Sequence, residues 1–560
     1  MAPAQLAERA ISASRHCVRA ALAWGLTLAS MPLFAVAQTL GADGSLPSFA
    51  ALQAAGAVVG EIRIVNEDVF DLNDPAENNA LFRMANRLHI QTRSSVIRGS
   101  LLFKRGDPVS VRVIDETERL LRARRYIFDV RLRPVMYRDG VVDIEVMTRD
   151  TWSLDPGISV GRSGGATSSS VVLREYNLLG TGVSLSLGHS RNVDRSGNEF
   201  QFQYDRAFDG WTTLSYSQAD NSDGKRRAAS LWRPFYALDA RWAAGAMAST
   251  EDRVDSVYGA GIVTSQYRHR QGLGEVFGGW SGGLVGGWTQ RYTVGVQARD
   301  DVYKIEPGVL APRQLPPDQK MVAPFVRFEV IEDEFHRLSN RNQIGRPEFF
   351  AMGLASVLQL GRATTGMGSS RNAWVISGSV SKGFEPRPQH ELLTSASLSG
   401  QYGAGRLLQH SLNASARYYL PLTARYLLYG SAAIDVVKTP DLSERPTLGG
   451  DTGLRGYPLR YQTGERRAVF TGEFRGYSDV YLFHLFRIGG AAFYDLGRAW
   501  GAADGNAANP RWLSDVGVGL RIFNVRAAFG NVLHLDLAVP LHRDPGIKSV
   551  QFLVKTKASF

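Results

Sequence analysis

The sequence predicts a mainly β protein, in which a transmembrane antiparallel β-barrel follows one small α/β domain. Residues 151–560 alternate between apolar and polar side chains over long segments, which is typical of strands with two different faces. Residues 58–150 instead combine helical spacings with short extended runs. After residue 37 no apolar run reaches the ~18 residues of a membrane-spanning helix, so a helical membrane protein is excluded.

The N-terminus is typical of a secretory signal. Three arginines precede an apolar stretch at 20–34, and the A-V-A sequence at 35–37 matches a cleavage site. We therefore predict a signal peptide over 1–37 and export from a bacterium; a short membrane anchor is the alternative. The single cysteine, Cys17, lies in this segment, so the mature chain can form no disulfide and no thiolate metal site.

The α/β domain is predicted over 58–150, after a linker over 38–57 that is rich in alanine and glycine. A strand begins the domain, and a helix follows it. Leu81, Met84 and Leu88 share one face of that helix, and we expect Leu88 in the apolar core of the domain.

The second half of this domain carries two further local signals. Ser110 is a suitable N-cap for a second helix, and Asp-Gly at 139–140 joins two extended runs as a hairpin. The predicted order of elements is therefore strand, helix, helix, strand, strand.

The barrel prediction over 151–560 depends on strand length and on which face is apolar. Alternation is clearest at 516–522, 533–541 and 550–560, and strands of about ten residues suit a tilted span of a bilayer. A soluble sandwich, with its apolar face inward, is the alternative. About 16 to 20 candidate strands can be counted, and an even number closes a bacterial barrel. Aromatic residues near strand ends could form girdles at the membrane surfaces, namely Trp152, Trp211, Trp232, Tyr418, Tyr419, Tyr426 and Tyr429.

Signals for an enzyme are weak, and no catalytic activity is expected. Ser159 and Ser281 lie in G-x-S-x-G matches, but that motif needs a strand, a turn and a helix. There is no metalloprotease motif, P-loop or dinucleotide fingerprint, so we predict no catalytic residue, no metal site and no cofactor. The formal net charge of +11 forms no basic patch in the sequence, and no nucleic-acid partner is expected.

The candidate site lies near the C-terminus. Arg455 lies in the glycine-flanked sequence GGDTGLRGY at 449–457, and Glu473 and Asp495 lie on the following strands. Apolar neighbours of opposite parity predict that both carboxylates face the barrel lumen. Arginine suits this position because its planar fork can bind carboxylates bidentately and remains charged. Taken alone, Leu-Arg-Gly-Tyr is more often part of a surface loop.

These motifs together resemble the BamA/TamA-type outer-membrane assembly superfamily, which includes the two-partner-secretion translocators. Residues 58–150 resemble one polypeptide-transport-associated (POTRA) domain, and N-L-x-G-x-G at 177–182 resembles an early barrel element. L-R-G-Y at 454–457 resembles the family's [VIL]-R-G-[FY] loop, and F-Y-D-L-G at 493–497 resembles F-x-D-x-G.

The final strand resembles the C-terminal signal that the assembly machinery of this superfamily reads. Phe552, Val554 and Phe560 carry that resemblance. Their alternation predicts that they face lipid, with Lys555 and Lys557 toward the lumen.

The resemblance implies a 16-stranded barrel in the bacterial outer membrane, with the N-terminal domain in the periplasm. It implies insertion, assembly or translocation of polypeptides without covalent chemistry. Expected partners are client polypeptides, outer-membrane lipids and periplasmic accessory proteins. The implied lumen site consists of Arg455, Gly456, Tyr457, Glu473, Phe493, Asp495 and Gly497.

Alternatives remain open at this level. One POTRA-like domain is fewer than typical members carry, and no hydrolase domain precedes the barrel, so the choice between insertion and secretion stays undecided. A passive outer-membrane pore or a structural surface antigen is the main alternative. A membrane-embedded hydrolase, which would require Ser159 or Ser281, is the third.

Overall fold

The structure, a computed structural model, describes residues 46–345, 347–483, 485–501, 511–524, 532–557 and 560. The predicted signal peptide lies outside these residues. No helix in the described part of the chain is both long and apolar enough to cross a membrane.

A small α/β domain begins the described chain. Its three-stranded sheet has the order β1-β3-β2, in which β1 pairs with β3 in parallel and β2 pairs with β3 as an antiparallel neighbour. Helices pack on this sheet around buried residues that include Ile97, Ile114 and Ile144. The elements are α1 (Phe49–Ala54), β1 (Val58–Glu67), α2 (Ala80–Leu88), α3 (Ser94–Arg98), α4 (Val111–Arg122), β2 (Ile127–Arg138) and β3 (Val141–Asp150).

Two local sequence signals in this domain, the Ser110 N-cap and the Asp-Gly turn, form the structures that they predict. The Ser110 side chain accepts a hydrogen bond from the Val113 amide at the start of α4. Asp139 and Gly140 both have positive φ, 50° and 77°, which is the geometry of a tight turn between antiparallel strands. Arg138 and Val141 then face each other as the first pair of the β2–β3 hairpin.

Two expectations for this domain differ from the structure. Part of the predicted linker is folded, since α1 contributes Leu52 to the domain core and Ala57 is buried there too. The expected place of Leu88 in the apolar core of the domain is also wrong. Phe82 is the buried residue of this helix, whereas Leu81, Met84 and Leu88 are exposed. Helical spacing identifies residues that share a face, but the spacing alone does not say what covers that face.

Twenty strands form a closed barrel in which each strand pairs with its neighbour in an antiparallel arrangement. They are β4 (Leu154–Ser163), β5 (Ala166–Leu178), β6 (Val183–Arg191), β7 (Ser196–Ala207), β8 (Thr212–Asn221), β9 (Gly224–Arg233), β10 (Trp242–Gly259), β11 (Ile262–Val285), β12 (Trp288–Lys304), β13 (Gln319–Glu332), β16 (Ala355–Ala363), β17 (Ala373–Arg387), β18 (His390–Gly403), β19 (Arg406–Pro421), β20 (Tyr426–Lys438), β23 (Arg466–Leu482), β24 (Phe486–Trp500), β25 (Leu513–Asn524), β26 (Val532–Pro540) and β27 (Gln551–Lys557). Two short hairpins lie between barrel strands, β14 (Phe335–Ser339) with β15 (Pro347–Ala351), and β21 (Thr447–Leu448) with β22 (Gln462–Thr463).

The prediction of a mainly β chain with a closed barrel is confirmed, but the expected strand number is wrong. The barrel has 20 strands, not 16. The lower number came from the family resemblance, whereas the alternation in the sequence allowed up to about 20 strands. Alternation identifies individual strands, but it does not give the number of strands that close the ring.

The barrel wall is inverted relative to a soluble protein. In β26, Leu533, Leu535 and Leu537 point outward, whereas His534 and Asp536 are buried inside. Tyr494 and Phe493 on β24 show the same division between the two faces. This arrangement contradicts the sandwich alternative, in which the apolar face would be covered.

Not all of the expected girdle residues lie on the outer face. Trp232 and Tyr426 are exposed, as a girdle requires. Tyr419 is buried, and Tyr429 packs beside it with the two ring centroids 5.2 Å apart, in a cluster that contains Ile344. Both tyrosines lie near strand ends, as the sequence predicted, but they belong to the strand face that points into the barrel.

The small domain contacts the turns at one end of the barrel, which we call the rim. The buried Asn177 side chain donates to Thr92 Oγ1 at 2.7 Å and accepts from the Gly182 amide at 2.7 Å. Gly180 has φ +71°, and a Cβ there would lie 2.3 Å from the Gln91 carbonyl oxygen. The N-L-x-G-x-G sequence therefore forms a rim turn that docks the domain.

Candidate functional site

Residues 439–465, which we call the lumen loop, connect β20 to β23 and fold into the barrel. The β21–β22 hairpin joins the two sides of this loop. Between these strands the chain turns at Gly449 (φ +125°) and Gly453 (φ +133°), conformations that glycine adopts far more easily than other residues. A Cβ at Gly453 would also lie 2.9 Å from Val469 on β23. The glycine-flanked sequence thus allows the loop to lie against the wall.

Arg455 is the centre of the contact between the loop and the wall. Its Nε donates to Asp495 Oδ2 at 2.7 Å, and its Nη2 donates to Asp495 Oδ1 at 2.9 Å. Its Nη1 donates to Glu473 Oε1 at 3.0 Å. The guanidinium carbon lies 3.4 Å from the centroid of the Phe493 ring. The structure therefore brings together Arg455, Glu473, Phe493 and Asp495, four members of the lumen site that the resemblance implied.

Both carboxylates have further partners on the wall. Thr471 Oγ1 donates to Asp495 Oδ1 at 2.8 Å, and Arg475 Nε donates to Glu473 Oε2 at 2.8 Å. Arg455, Glu473 and Asp495 are all buried. A buried charge is costly unless it is paired and hydrogen-bonded, and here each charged group has more than one partner.

Gly456 and Gly497 permit the close approach of the loop. A Cβ at Gly456 would lie 2.7 Å from the Asp515 Cβ, and the Gly456 amide donates to Asp515 Oδ2 at 3.0 Å. A Cβ at Gly497 would lie 3.1 Å from Leu448, a buried residue of the loop. A side chain at Gly456 would push the loop away from β25, and one at Gly497 would require Leu448 to shift by a few tenths of an ångström.

Tyr457 completes the predicted set and is fully buried. Its hydroxyl lies 3.1 Å from the Ser514 carbonyl oxygen and 2.9 Å from the His542 carbonyl oxygen, so it can donate to either. The His542 amide in turn donates to this hydroxyl at 3.3 Å. Tyr457 thus ties the loop to the start of β25 and to the β26–β27 connection.

Sequence reasoning missed two other carboxylates of this site. Asp536 Oδ2 lies 3.7 Å from Arg455 Nη1, and Asp536 Oδ1 accepts from Arg521 Nη1 at 2.5 Å. Asp515 receives the Gly456 amide. Both acids alternate with outward apolar residues in β25 and β26, so the same parity argument could have found them.

A second contact of the lumen loop lies on a different part of the wall. Asp441 Oδ2 accepts from the Tyr303 hydroxyl at 3.1 Å, and Asp441 Oδ1 accepts a short hydrogen bond from the Tyr267 hydroxyl. These tyrosines belong to β12 and β11, whereas the Arg455 partners belong to β23 and β24. Six strands, β13 and β16 to β20, separate the two contacts along the wall. No motif in the sequence pointed to Asp441.

The loop also meets the turns at the end of the barrel opposite the rim. Arg460 binds Asp194 bidentately, at 2.8 Å and 2.6 Å, and the Leu459 amide donates to the Gly164 carbonyl oxygen at 3.1 Å. The Tyr461 hydroxyl donates to Asp544 Oδ2 at 2.6 Å. Contacts with the β26–β27, β4–β5 and β6–β7 turns hold the loop at this end of the barrel.

Asp255, His269 and Asp441 offer donor atoms within 4.8 Å of one another, which is close enough for a metal ion. Each of them already has a protein partner, however. His269 Nδ1 lies 2.9 Å from Asp255 Oδ2, and Arg253 Nε donates to Asp255 Oδ1 at 2.7 Å. Because Asp255 is bonded to Arg253 and His269, and Asp441 is bonded to the Tyr267 and Tyr303 hydroxyls, these residues form a hydrogen-bond network that does not need a cation.

The C-terminal strand agrees only in part with the expected lipid-facing signal. Phe552 is exposed on the outer face. Val554 forms the described pair with Arg162 of β4, by which β27 closes the ring. Lys555 and Lys557 line a lumen cavity of about 210 Å³ beside Arg455 and Glu473.

The expected position of Phe560 on the lipid face is wrong. Phe560 is 2% exposed and lies inside the barrel, with its ring centroid 4.9 Å from that of Tyr477. The Phe560 amide donates to the Asn342 carbonyl oxygen at 2.7 Å. A Cβ at Gly489 would lie 2.6 Å from the Phe560 ring, so the glycine provides its space. Local alternation could not predict that the last residue packs inside.

The two serines of the G-x-S-x-G matches lie in strands. Ser159 belongs to β4, and its hydroxyl lies 2.8 Å from the Ser170 hydroxyl on β5. Ser281 belongs to β11, and its hydroxyl donates to the Gln290 carbonyl oxygen at 2.7 Å. Neither serine is followed by a helix, which is the context that the motif requires.

Comparisons with known proteins give matches at the level of structure. No protein-family model matches the sequence, and no curated protein matches it. Among solved structures, the chain is similar to BamA from Haemophilus ducreyi lacking POTRA domains 1–3, with 13% identity, 90% of this chain and 85% of that chain covered, and a TM-score of 0.42.

The chain is similar to two further solved structures. CdiB from Acinetobacter baumannii has 13% identity, with 89% of this chain and 73% of that chain covered and a TM-score of 0.43. CdiB from Escherichia coli has 12% identity, with 90% and 76% covered and a TM-score of 0.47.

Proposed function

We propose that this protein is a bacterial outer-membrane barrel that inserts or translocates polypeptides, with its small domain in the periplasm. The observation that carries the proposal is the lumen loop, held inside the barrel by the Arg455 fork on Glu473 and Asp495. The motifs on both sides of this contact are the ones that resemble the BamA/TamA-type superfamily.

A membrane environment is supported by the inverted wall. Val160, Val326 and Leu537 are exposed on the outer face, whereas arginines and carboxylates fill the lumen. Apolar side chains outside and polar side chains inside are the arrangement of transmembrane barrels. Export through a signal peptide and an outer-membrane location are consistent with this wall.

The seam between β27 and β4 is where a client strand could bind. In the described part of the chain β27 has seven residues, and its pairing with β4 is described at one register position, Val554 opposite Arg162. Strands with unpaired backbone groups can accept another strand by β-augmentation. We propose that main-chain hydrogen bonds at this seam, rather than covalent chemistry, engage the client.

The lumen loop would support this seam from inside. It binds β23, β24 and β25 through Arg455 and Gly456, next to the strands that lead to the seam. Because the loop also crosses the lumen, an unobstructed aqueous channel is not the arrangement that this structure favours. A passive pore is therefore the less supported alternative.

The small domain is placed to deliver clients to the rim. Arg124 Nη1 donates to Asp205 Oδ2 at 2.9 Å, and Arg206 Nη1 donates to the Val96 carbonyl oxygen at 2.7 Å. β2 is the edge strand of its sheet, and part of β2 lines a cavity of about 550 Å³ together with rim residues Arg337 and Arg487. An extended client segment could pair with this edge before it reaches the barrel.

Photo-crosslinking at the seam tests the proposal in living cells. A photoreactive amino acid replaces Val160 on β4, and the matched control carries it at Val326 on β13, since these valines are 58% and 57% exposed on the outer face. We expect polypeptide adducts at position 160 and few at 326. Equal labelling at both positions, together with steady conductance showing a size cut-off, would support the passive pore instead.

A further inference from the structure

The apolar face of α2 is exposed, although the helix lies beside the barrel. Leu81, Met84 and Leu88 are 60%, 53% and 65% exposed, and their spacing of three and four residues puts them on one side of the helix. Ile90, which follows the helix, is exposed as well. Exposure of three large apolar side chains of one short helix to water would be unfavourable, so we expect an apolar partner to cover this face.

The position of α2 on the rim indicates which partner this is. Phe82 and Phe70 pack with Leu485 in the turn between β23 and β24. At the other end, His89 Nε2 lies 3.0 Å from Asp150, and the His89 ring is 6.3 Å from the ring of Trp152, just before β4. These two places flank β25, β26 and β27 in the barrel order, so α2 lies at the rim close to the seam.

The surroundings of α2 continue the lipid-facing surface of the barrel. Leu482, the last residue of β23, and Phe483, in the turn that follows, are both exposed apolar residues. α2 itself carries Arg83 and Arg87 and no acidic residue. Both arginines are exposed, and Arg83 Nη1 donates to Asn78 Oδ1 at 2.7 Å. An apolar helix face flanked by arginines is typical of helices that lie in a membrane surface.

We propose that α2 lies in the membrane leaflet on the small-domain side, with Leu81, Met84 and Leu88 among the acyl chains. Arg83 and Arg87 then face the lipid phosphate groups. This inference rests on the proposed function only in requiring that the barrel is embedded in a bilayer. It gives the small domain a lipid anchor beside the seam, so the domain cannot swing away from the rim without withdrawing this helix.

Spin labels on the full-length mature chain in vesicles of phosphatidylethanolamine and phosphatidylglycerol test the proposal. Single cysteines replace Met84 on α2, Met136 on the β2–β3 hairpin and Ile158 on the outer face of β4, with Cys17→Ser if the signal segment is retained. Met136 is a matched control because it is also an exposed methionine of the small domain, at 47%. Ile158 reports whether the barrel itself is in lipid.

The collision rates of each label with oxygen, which concentrates in lipid, and with a water-soluble nickel chelate give its environment. We expect labels at 84 and 158 to favour oxygen severalfold, and the label at 136 to favour the chelate. If the label at 84 favours the chelate while the label at 158 favours oxygen, the α2 anchor is overturned and the barrel assignment stands. A protein partner that covers this face of α2 would give that result. A label at 158 that favours the chelate would instead overturn the membrane barrel.

Labels at 84 and 136 that both favour oxygen would also overturn the proposal, because the whole domain would then contact lipid without a specific role for α2. The double variant Arg83→Gln, Arg87→Gln gives a second measurement. We expect it to reduce the oxygen preference at position 84 in anionic vesicles and to have less effect in vesicles without phosphatidylglycerol. No change in the anionic vesicles would contradict the assigned role of the two arginines.

Discussion

At the scale of single residues, one guanidinium joins the lumen loop to two strands. Arg455 uses three nitrogen atoms to bind Asp495 twice and Glu473 once. An ammonium group could not reproduce this fork, because it is a point charge without fixed donor directions. The chemistry of arginine, rather than positive charge alone, therefore determines the contact.

We predict that Arg455→Ala releases the loop while the barrel still forms. Breaking a buried pair typically costs about 3–5 kcal/mol of stability, and water in the lumen should reduce this loss. Protease sensitivity of residues 439–465 should rise, while the heat-modifiable folded band persists in gel electrophoresis. Arg455→Lys should restore protection only partly.

The matched control for this change is Arg270→Ala. Arg270 is an exposed arginine that pairs with Asp252 at 2.8 Å, and exposed pairs contribute only about 0–1 kcal/mol. Loop protection in this variant should equal that of the unchanged protein. Full protection in Arg455→Ala, or loss of protection in Arg270→Ala, would show that the Arg455 contacts do not hold the loop.

Phe560 gives a second prediction at this scale. Because its ring packs inside on Tyr477 and lies 5.2 Å from the Arg475 guanidinium carbon, Phe560→Ala should lower the free energy of unfolding by about 3–5 kcal/mol. Phe552→Ala, on the exposed outer face, should cost less. Urea titrations of folded protein in lipid would measure both, and a larger loss at Phe552 would contradict the lumen position of Phe560.

At the scale of elements, each barrel strand carries two faces with opposite requirements. Val296 and Gln297 are neighbours on β12; Val296 is exposed outside, and Gln297 accepts a hydrogen bond from Gln359 inside at 3.1 Å. An arginine on the lipid face near the middle of the membrane costs about 2–4 kcal/mol. We predict that Val296→Arg reduces the folded fraction in vesicles much more than Gln297→Arg does. Equal losses would mean that this wall does not face lipid.

The lumen loop is an element with two separate attachments, and the Asp441 end can be tested by itself. Asp441→Ala removes the acceptor of the Tyr267 and Tyr303 hydroxyls and leaves Arg455 unchanged. We predict that the first part of the loop loosens and that single-channel conductance in a planar bilayer rises, with the folded band retained. The control Asp300→Ala, at an exposed position on β12, should conduct like the unchanged protein. An equal rise in conductance in this control would show that Asp441 has no specific role in holding the loop.

At the scale of the whole molecule, the small domain has its own core and separate contacts to the barrel. Since α1 contributes Leu52 to that core, a clean deletion must remove residues 46–150 rather than 58–150. We predict a folded, heat-modifiable barrel after this deletion and loss of the seam adducts at position 160, because clients would no longer be delivered. Unchanged adducts would show that the domain is not needed for delivery.

The barrel and the interior site could be predicted because their signals are local. Alternation with period two fixes which side chains share a face of a strand, so Glu473 and Asp495 could be placed on the same side without knowing their neighbours. The glycines around Arg455 indicated a loop able to approach a wall closely. Asp515 and Asp536 follow from the same rule and needed only a wider application of it.

Other features were decided by tertiary structure, because they depend on residues far apart in the chain. Spacing put Leu81, Met84 and Leu88 on one face of α2, but the packing of Phe82 and Phe70 with Leu485, about 400 residues later in sequence, decided which side of the helix is buried. Phe560 enters the lumen because the Asn342 carbonyl oxygen and the space at Gly489 receive it there.

By itself, the sequence determined the class of the chain, the two faces of its strands and the polar groups that face the lumen, since each of these follows from nearest neighbours and their chemistry. Only the tertiary structure decided the number of strands, the second attachment of the lumen loop at Asp441 and the exposed face of α2. Closing a ring of 20 strands and covering one side of a helix are properties of the whole packing. No local pattern of side chains encodes them.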